Sequence, residues 1–252
     1  MEAILSLQGL TRSFGGLTAV RDLSFEVRSG EILSLIGPNG AGKTTVFNLI
    51  TGTLLPTRGR VSFQNRDITG SRPYETTALG VARTFQTTCL FYEETVLDNL
   101  IVGYRCRTRM GFWDALFQTG RCREDERRSR EKAQAMLEFT GMGKRALDLA
   151  HNIPQGSQKR LAIGLALITE PKLLLLDEPM GGLTEEENVS MMALIQKVRS
   201  RGVSILLIEH KMKVVMNISD RVVVLNYGQK IAEGSPAEVG RDPTVIEAYL
   251  GS

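Results

Sequence analysis

Residues 37–45 of this chain read Gly37-Pro38-Asn39-Gly40-Ala41-Gly42-Lys43-Thr44-Thr45. The stretch matches the pattern G-x-x-x-x-G-K-[ST]. A short, mostly apolar run of strand length, Glu31–Ile36, precedes it, and apolar residues at helical spacing follow it from Val46 to Ile50. A strand, a glycine-rich turn and a helix in this order are the setting in which a backbone loop surrounds phosphate groups. We therefore expect a phosphate-binding loop at residues 37–45.

The chemistry expected of this loop follows from its residue types. Glycine lacks a Cβ, so the backbone N–H groups can turn toward an anion, and the following helix adds its partial positive charge. The Lys43 ammonium is expected to reach the β- and γ-phosphates of a nucleoside triphosphate, and the Thr44 hydroxyl to bind Mg²⁺. The whole loop is therefore a candidate nucleotide-binding segment.

Two later apolar runs end in polar residues that could act on the same nucleotide. Leu173–Leu176 is typical of a strand buried on both faces, and it is followed by Asp177 and Glu178. Val203–Ile208 is a second such strand, and His210 lies just beyond it. In open α/β sheets, ligands bind at the carboxyl ends of the strands. These polar side chains are therefore expected at one edge of a sheet, beside the phosphate loop.

Each of these residues has an expected role in hydrolysis. Asp177 would complete the Mg²⁺ shell with Thr44, and Glu178 would orient or deprotonate a water for attack on the γ-phosphate. His210 would donate a hydrogen bond to the γ-phosphate. A nucleotide kinase is the alternative, but it needs a site for a hydroxyl acceptor, and a glutamate beside the Mg²⁺ aspartate favours hydrolysis.

The alternation of strands and helices predicts an α/β fold of the P-loop type, with a mostly parallel core sheet. A β-rich opening predicts an N-terminal antiparallel part, and the charged stretch after residue 93, with helical spacing, predicts an inserted α-helical subdomain. We expect a single domain. Its predicted parts are the nucleotide-binding core at 1–93 and 162–238, the helical subdomain at 94–161 and the C-terminal helix at 239–252.

Composition excludes several other classes of protein. The chain has 252 residues, 42% hydrophobic and 23% charged, which is ordinary for a globular protein, and its net charge of +3 does not indicate nucleic acid as a partner. Cys89, Cys106 and Cys122 lack the spacing of a zinc site or a disulfide framework. No apolar run approaches the ~20 residues of a membrane span, and no signal peptide opens the chain. We expect a cytoplasmic protein that would serve a membrane only through a docked partner.

Three features are open to two interpretations. Phe14 is either a strand residue or an aromatic ring that stacks on a base. Gln86, at the end of a predicted strand Val81–Gln86, is either a polar edge residue or part of the site. Seven of the fifteen aromatic residues lie between Phe85 and Phe117, where they form either the core of the helical subdomain or a groove for a helix of a partner.

Taken together, these motifs resemble those of the ATP-binding subunits of ABC transporters. That family carries a phosphate loop like 37–45, a glutamine loop like 84–86, an Asp-Glu-Pro turn like 177–179 and a histidine like His210. The resemblance covers nearly the whole chain. It implies that Phe14 stacks on adenine, that Gln86 senses Mg²⁺ and the docked membrane subunit, and that Glu178 is the catalytic base. It also implies that ATP is held between two subunits.

Within that family, the chain is most similar to the ATPases of branched-chain amino acid importers. The similarity rests on the long helical insertion after Leu100 and on five stretches: Thr45–Asn48, Arg83–Gln86, Ile208–Met212, Ile218–Arg221 and Ile246–Gly251. Importers of urea and short amides, and a lipopolysaccharide exporter ATPase, share much of this, so import and export both stay open. The partners implied are transmembrane permease subunits, an extracytoplasmic substrate-binding protein acting indirectly, and a second ATPase subunit.

The chain departs from the family pattern in the segments that would complete the nucleotide site of this second subunit. The usual signature Leu-Ser-Gly-Gly-Gln is replaced by Ile153-Pro154-Gln155-Gly156-Ser157, of which Gly156 and Ser157 are the candidates for contacting the partner's nucleotide. Thr184 and Leu165 stand where Asp and Arg are usual. We expect a non-identical second ATPase and two unequal sites, with a homodimer as the alternative.

A non-transport ABC ATPase, acting on ribosomes or in DNA repair, is the rival from another class. Translation-type members usually carry two cassettes and repair-type members a long coiled coil, and 252 residues hold neither. The sequence does not encode the transported substrate, because a cytosolic ATPase of this kind is not expected to touch it.

Overall fold

The computed structural model describes residues 2–84, 90–105 and 120–250. Contacts within the chain divide it into two compact units. One unit comprises residues 1–83 and 172–252, and the other comprises residues 84–171. The helical subdomain predicted from the sequence, 94–161, is ten residues shorter at each end than this second unit.

The first unit contains ten strands and six of the helices described. The strands are β1 (Ala3–Phe14), β2 (Leu17–Arg28), β3 (Ile32–Ile36), β4 (Arg58–Phe63), β5 (Arg66–Asp67), β6 (Val81–Arg83), β7 (Leu173–Asp177), β8 (Ser204–Ile208), β9 (Arg221–Asn226) and β10 (Gln229–Gly234). The helices are α1 (Lys43–Ile50), α2 (Pro73–Leu79), α6 (Glu185–Arg199), α7 (Met212–Ile218), α8 (Pro236–Val239) and α9 (Pro243–Leu250).

Two sheets organise this unit. The antiparallel sheet has the order β2-β1-β4-β5, and the six-stranded sheet has the order β10-β9-β3-β8-β7-β6. All strands of the larger sheet run parallel except β10, which pairs antiparallel with β9. The predicted α/β fold with a mostly parallel core and an N-terminal antiparallel part is therefore confirmed.

The strands β3, β7 and β8 of the larger sheet are buried throughout, and nearly all of their residues are apolar, as expected of strands covered on both faces. Side chains alternate between the two faces, so Leu33 and Leu35 of β3 pack in one cluster with Phe47 of α1. Ile36 and Val224 belong to a second cluster that includes residues of α7, α8 and α9. The phosphate loop thus follows a central strand fixed from both sides.

The second unit is helical and consists of α3 (Val96–Arg105), α4 (Gly120–Thr140) and α5 (Gln155–Leu167), with short 3₁₀ turns at Gly143–Arg145 and Ala150–Asn152. Leu100, Leu137 and Leu161, one from each helix, lie in a single apolar cluster. Ile168, just past α5, belongs to the same cluster. Residues 162–171 therefore belong to the helical unit, whereas the sequence pattern predicts them in the nucleotide-binding core.

Several short elements were not predicted: α2, α7, α8, β5 and β10. Seven-residue helices give little periodicity, and β10 is an edge strand with few buried side chains. The strand predicted over Val81–Gln86 is β6, which ends at Arg83, and Phe85 and Gln86 lie outside the described residues. Within the described ranges, no helix is long and apolar enough to cross a membrane.

Candidate functional site

The phosphate loop connects β3 to α1, and α1 begins at Lys43. Gly37, Gly40 and Gly42 all have positive φ, and Gly42, at 99°, lies directly before the helix. A Cβ at Gly42 would lie 2.4 Å from the carbonyl oxygen of Ala19. The tight turn into the helix therefore requires glycine. The backbone amides at the start of the helix can then bind an anion.

Lys43 is folded back over this loop. Its side chain is buried, and Nζ donates hydrogen bonds to the carbonyl oxygens of Gly37, at 2.7 Å, and Pro38, at 2.8 Å. Burial lowers the pKa of Lys43, while the negative charges of Glu178 and Asp177 act in the opposite direction. A partly desolvated ammonium in the field of two carboxylates is well suited to a phosphate, which is a stronger partner than neutral carbonyls.

The carboxylates and the histidine lie at the carboxyl ends of β7 and β8, which pair with each other, and β8 also pairs with β3. Asp177 is the last residue of β7, Glu178 follows it, and His210 lies two residues after the end of β8. Glu178 Oε1 and His210 Nε2 are 2.7 Å apart. Glu178 has a left-handed backbone, with φ of 50°, which is unusual for a non-glycine residue and common where function constrains the chain. The structure thus brings Glu178 and His210 into direct contact.

Asp177 has a partner that the sequence did not indicate. Arg83, at the end of β6, donates from Nη2 to Asp177 Oδ2 at 2.8 Å and from Nη1 to Asn48 Oδ1 at 2.6 Å. Its guanidinium also lies 5.3 Å from the centre of the Phe47 ring. The side chains of Arg83 and Asp177 are only 6% and 3% exposed. The pairing of β6 with β7 places the two residues together, and the sequence alone does not specify that these strands are neighbours.

The remaining candidates lie elsewhere. Phe14 ends β1 with 43% of its surface exposed, and the guanidinium of Arg12 lies 4.5 Å from the centre of its ring. Gly156 and Ser157 are in the first turn of α5, in the helical unit, where helix amides can bind an anion. Pro154 occupies the cap position of that helix. Gln86 is outside the described part of the chain.

Nucleotide binding at the carboxyl edge of a parallel sheet, through a glycine loop that opens a helix, defines the class of P-loop ATPases. The sequence profile of ABC transporters matches residues 20–181, and that of the branched-chain amino acid ATP-binding cassette transporters matches residues 229–252. The chain belongs to the ABC transporter family, as an ATP-binding subunit with ATPase activity. The family prediction is therefore confirmed.

Known relatives match over almost their entire lengths. The chain is 43% identical over 251 residues to the high-affinity branched-chain amino acid transport ATP-binding protein LivG of Salmonella typhimurium, covering 99% of this chain and 98% of the relative. It is 43% identical over 249 residues to BraF of Pseudomonas aeruginosa, covering 98% of each. The crystal structure of a nucleotide-free ATP-binding cassette from an ABC transporter is 34% identical, with a TM-score of 0.88 and 100% of both chains covered.

Proposed function

We propose that this chain is the ATP-hydrolysing subunit of an importer for branched-chain amino acids. It would act at the cytoplasmic face of the membrane, bound to transmembrane permease subunits that receive substrate from an extracytoplasmic binding protein. The substrate class is supported by the relatives LivG and BraF and by the match of the C-terminal segment. That segment favours an importer of this kind over the exporter and non-transport alternatives.

The phosphate loop would hold the triphosphate of ATP. Lys43 would exchange its hydrogen bonds to backbone carbonyls for stronger ones to the β- and γ-phosphates. A bound Mg²⁺ would neutralise part of the phosphate charge, and Thr44 and Asp177 supply the hard oxygen donors that this ion prefers. Phe14, whose ring is part-exposed beside Arg12, would stack on the adenine.

The contact between Glu178 and His210, 2.7 Å long, carries the proposal of hydrolysis. Glu178 would accept a proton from a water as that water attacks the γ-phosphorus, and the bond to the ADP oxygen would break on the opposite side. His210 would hold the carboxylate in position and donate a hydrogen bond to the γ-phosphate. The products are ADP and inorganic phosphate.

A second ATPase subunit would complete the site. By the family resemblance, its signature segment would close over ATP bound at residues 37–45, and Gly156 and Ser157 of this chain would face the partner's nucleotide. Gln86 would link Mg²⁺ to the permease. Because the departures from the family pattern lie in the half lent to the partner, we propose a non-identical partner and two unequal sites.

The substitution Glu178→Gln tests the catalytic assignment in the assembled complex. General-base catalysis is worth roughly 10²–10⁴-fold, so we expect ATP turnover to fall by about tenfold or more, even with some turnover at the second site. Glu186→Gln, at an exposed glutamate in the first turn of α6, is the matched control and should retain wild-type turnover. Turnover above about half of wild type for Glu178→Gln would show that the main catalytic site is assigned wrongly.

Uptake by cells that lack this chain tests the substrate. Wild type should restore uptake of radiolabelled leucine, and Lys43→Ala should not, because it removes the ammonium that binds phosphate. Unlabelled isoleucine and valine should compete for the restored uptake, and urea should not. Restoration of urea uptake without leucine uptake would overturn the substrate class and leave the ATPase assignment standing.

A further inference from the structure

Glu209 is a buried carboxylate placed directly between β8 and His210, with 2% of its surface exposed. It accepts three backbone hydrogen bonds. Its Oε1 accepts from the amide of Met180 at 2.9 Å, and its Oε2 accepts from the amides of His210 at 2.9 Å and Lys211 at 3.2 Å. The sequence shows this residue only as the polar end of an apolar strand.

These hydrogen bonds join two loops of the site. Met180 lies two residues beyond Glu178, in the loop after β7, whereas His210 lies in the loop after β8. One carboxylate therefore holds the backbone on both sides of the contact between Glu178 and His210. The backbone amide of Glu178 also donates to the carbonyl oxygen of Ile208 at 3.0 Å, which continues the pairing of the two strands beyond their ends.

Lys211 makes a second connection between the same two segments. Its Nζ donates to the carbonyl oxygen of Leu183 at 3.2 Å and to Asn188 Oδ1 at 3.3 Å. The two residues that flank His210 thus both bind the chain that follows Glu178. His210 is held from each side, while its own ring stays 38% exposed at the side-chain level.

A charged carboxylate such as that of Glu209 is seldom this deeply buried. Burying the charge is costly, and charge-assisted bonds from several amides offset that cost. A glutamine of the same shape has one acceptor oxygen, and its NH₂ group would face an amide N–H of one loop or the other. Only the carboxylate can accept hydrogen bonds from both loops at once.

We propose that Glu209 is a positioning residue for ATP hydrolysis, which fixes His210 against Glu178 by holding the loops after β7 and β8 together. The inference rests on the proposed function, in which Glu178 and His210 act on ATP. In this role Glu209 acts through the two loops and does not itself contact the nucleotide. Its effect is therefore expected in kcat and not in the KM for ATP.

Glu209→Gln tests the proposal in the complex purified with its partner subunits. A misplacement of about 1 Å can cost up to about 100-fold, so we expect kcat to fall by about tenfold or more, with the KM for ATP changed by less than about threefold. Glu209→Asp keeps the charge but is one methylene shorter, so it should reach only one loop and fail to restore kcat.

Glu31→Gln is the matched control. Glu31 is also a buried carboxylate, 4% exposed, and its Oε1 accepts hydrogen bonds from the amide of Arg28, at 2.5 Å, and from Arg221 Nη2, at 2.8 Å. It precedes β3, at the end of the sheet opposite the phosphate loop. We expect Glu31→Gln to lower the Tm but leave kcat within about twofold of wild type. Equal losses of kcat in both variants would reduce Glu209 to a structural role and overturn the proposal.

A double-mutant cycle with His210→Ala identifies the residue through which Glu209 acts. If Glu209 works by positioning His210, Glu209→Gln should lower kcat by less than about threefold once the imidazole is absent. A loss that multiplies with that of His210→Ala would overturn the positioning role and leave the proposed function intact. If His210→Ala alone retains wild-type turnover, the role assigned to His210 is wrong, and the positioning role of Glu209 is wrong with it, whereas the ATPase and importer assignments stand.

Discussion

Asp177 shares a buried ion pair with Arg83, and this pair links the candidate Mg²⁺ ligand to the stability of the fold. Both side chains are almost completely buried, and Arg83 also contacts Asn48 and the Phe47 ring of α1, the helix that follows the phosphate loop. Removing one partner from such a pair leaves the other charge in a poorly solvated place. The orientation of Asp177 is therefore set before any metal binds.

Arg83→Met is expected to lower the free energy of unfolding by about 3 kcal/mol, because the Asp177 carboxylate loses its guanidinium partner. Urea denaturation followed by circular dichroism measures the change. Arg127→Met is the control, since Arg127 forms ion pairs with Glu124 and Glu131 on an exposed helix surface, where such pairs contribute little. Equal midpoints for the two variants would contradict a special role of the buried pair.

At the residue scale, the sequence indicates those members of the candidate site that follow a pattern. Lys43 belongs to a recognisable loop, and Asp177 and His210 each follow an apolar strand. Arg83 and Glu209 could not be assigned, because their roles depend on which strands are neighbours. The order β3-β8-β7-β6 is a property of the folded sheet that the alternation of elements does not specify.

Helix α6 shows how local sequence positions an element next to the site. Thr184 Oγ1 accepts a hydrogen bond from the amide of Glu187 at 3.3 Å, and Glu187 Oε2 accepts one from the amide of Thr184 at 3.0 Å. This reciprocal pair is a capping box. Acidic residues in the first turn and basic residues in the last turn also complement the helix dipole. Thr184 therefore caps α6, and an aspartate at this position would be an equally good cap.

Thr184→Ala is expected to lower the free energy of unfolding by about 1 kcal/mol, because the first turn of α6 loses its side-chain acceptor. Thr184→Asp should be close to wild type, since aspartate is an equally good cap. Urea denaturation of the three proteins side by side provides the comparison. If Thr184→Asp were as unstable as Thr184→Ala, the hydroxyl would have a role other than capping.

At the element scale, prediction succeeded for the long, strongly patterned segments. The strands β3, β7 and β8 and the helix after the phosphate loop all lie where the apolar pattern placed them. The predicted boundary after Leu161 falls inside α5, because helical periodicity shows that one face is buried but not which cluster buries it. Leu161 and Ile168 pack with α3 and α4, and this depends on tertiary structure alone.

At the scale of the whole molecule, the candidate residues are divided between the two units of the chain. Phe14, the phosphate loop, Asp177, Glu178 and His210 lie in the unit formed by 1–83 and 172–252, and the signature segment 153–157 lies in the unit formed by 84–171. This chain keeps the family pattern in the phosphate loop, Asp177, Glu178 and His210, but it departs from that pattern in the signature segment. Such a chain is suited to pairing with a different subunit. The proposal of unequal sites follows from this division.

Ser157→Asp, compared with Glu178→Gln in the assembled complex, tests whether the two sites are unequal. An aspartate in the first turn of α5 would repel the partner's nucleotide, yet it suits the helix dipole, so folding should be preserved and the Tm should stay near that of wild type. If the site that Ser157 serves is the minor one, ATP turnover should stay above about half of wild type, whereas Glu178→Gln should remove most of it. Steady-state phosphate release measures the turnover of both variants.

Equal, near-complete losses of ATP turnover in the two variants would instead indicate two equivalent sites, as in a homodimer. A loss of turnover confined to Ser157→Asp would place the main hydrolytic site on the partner.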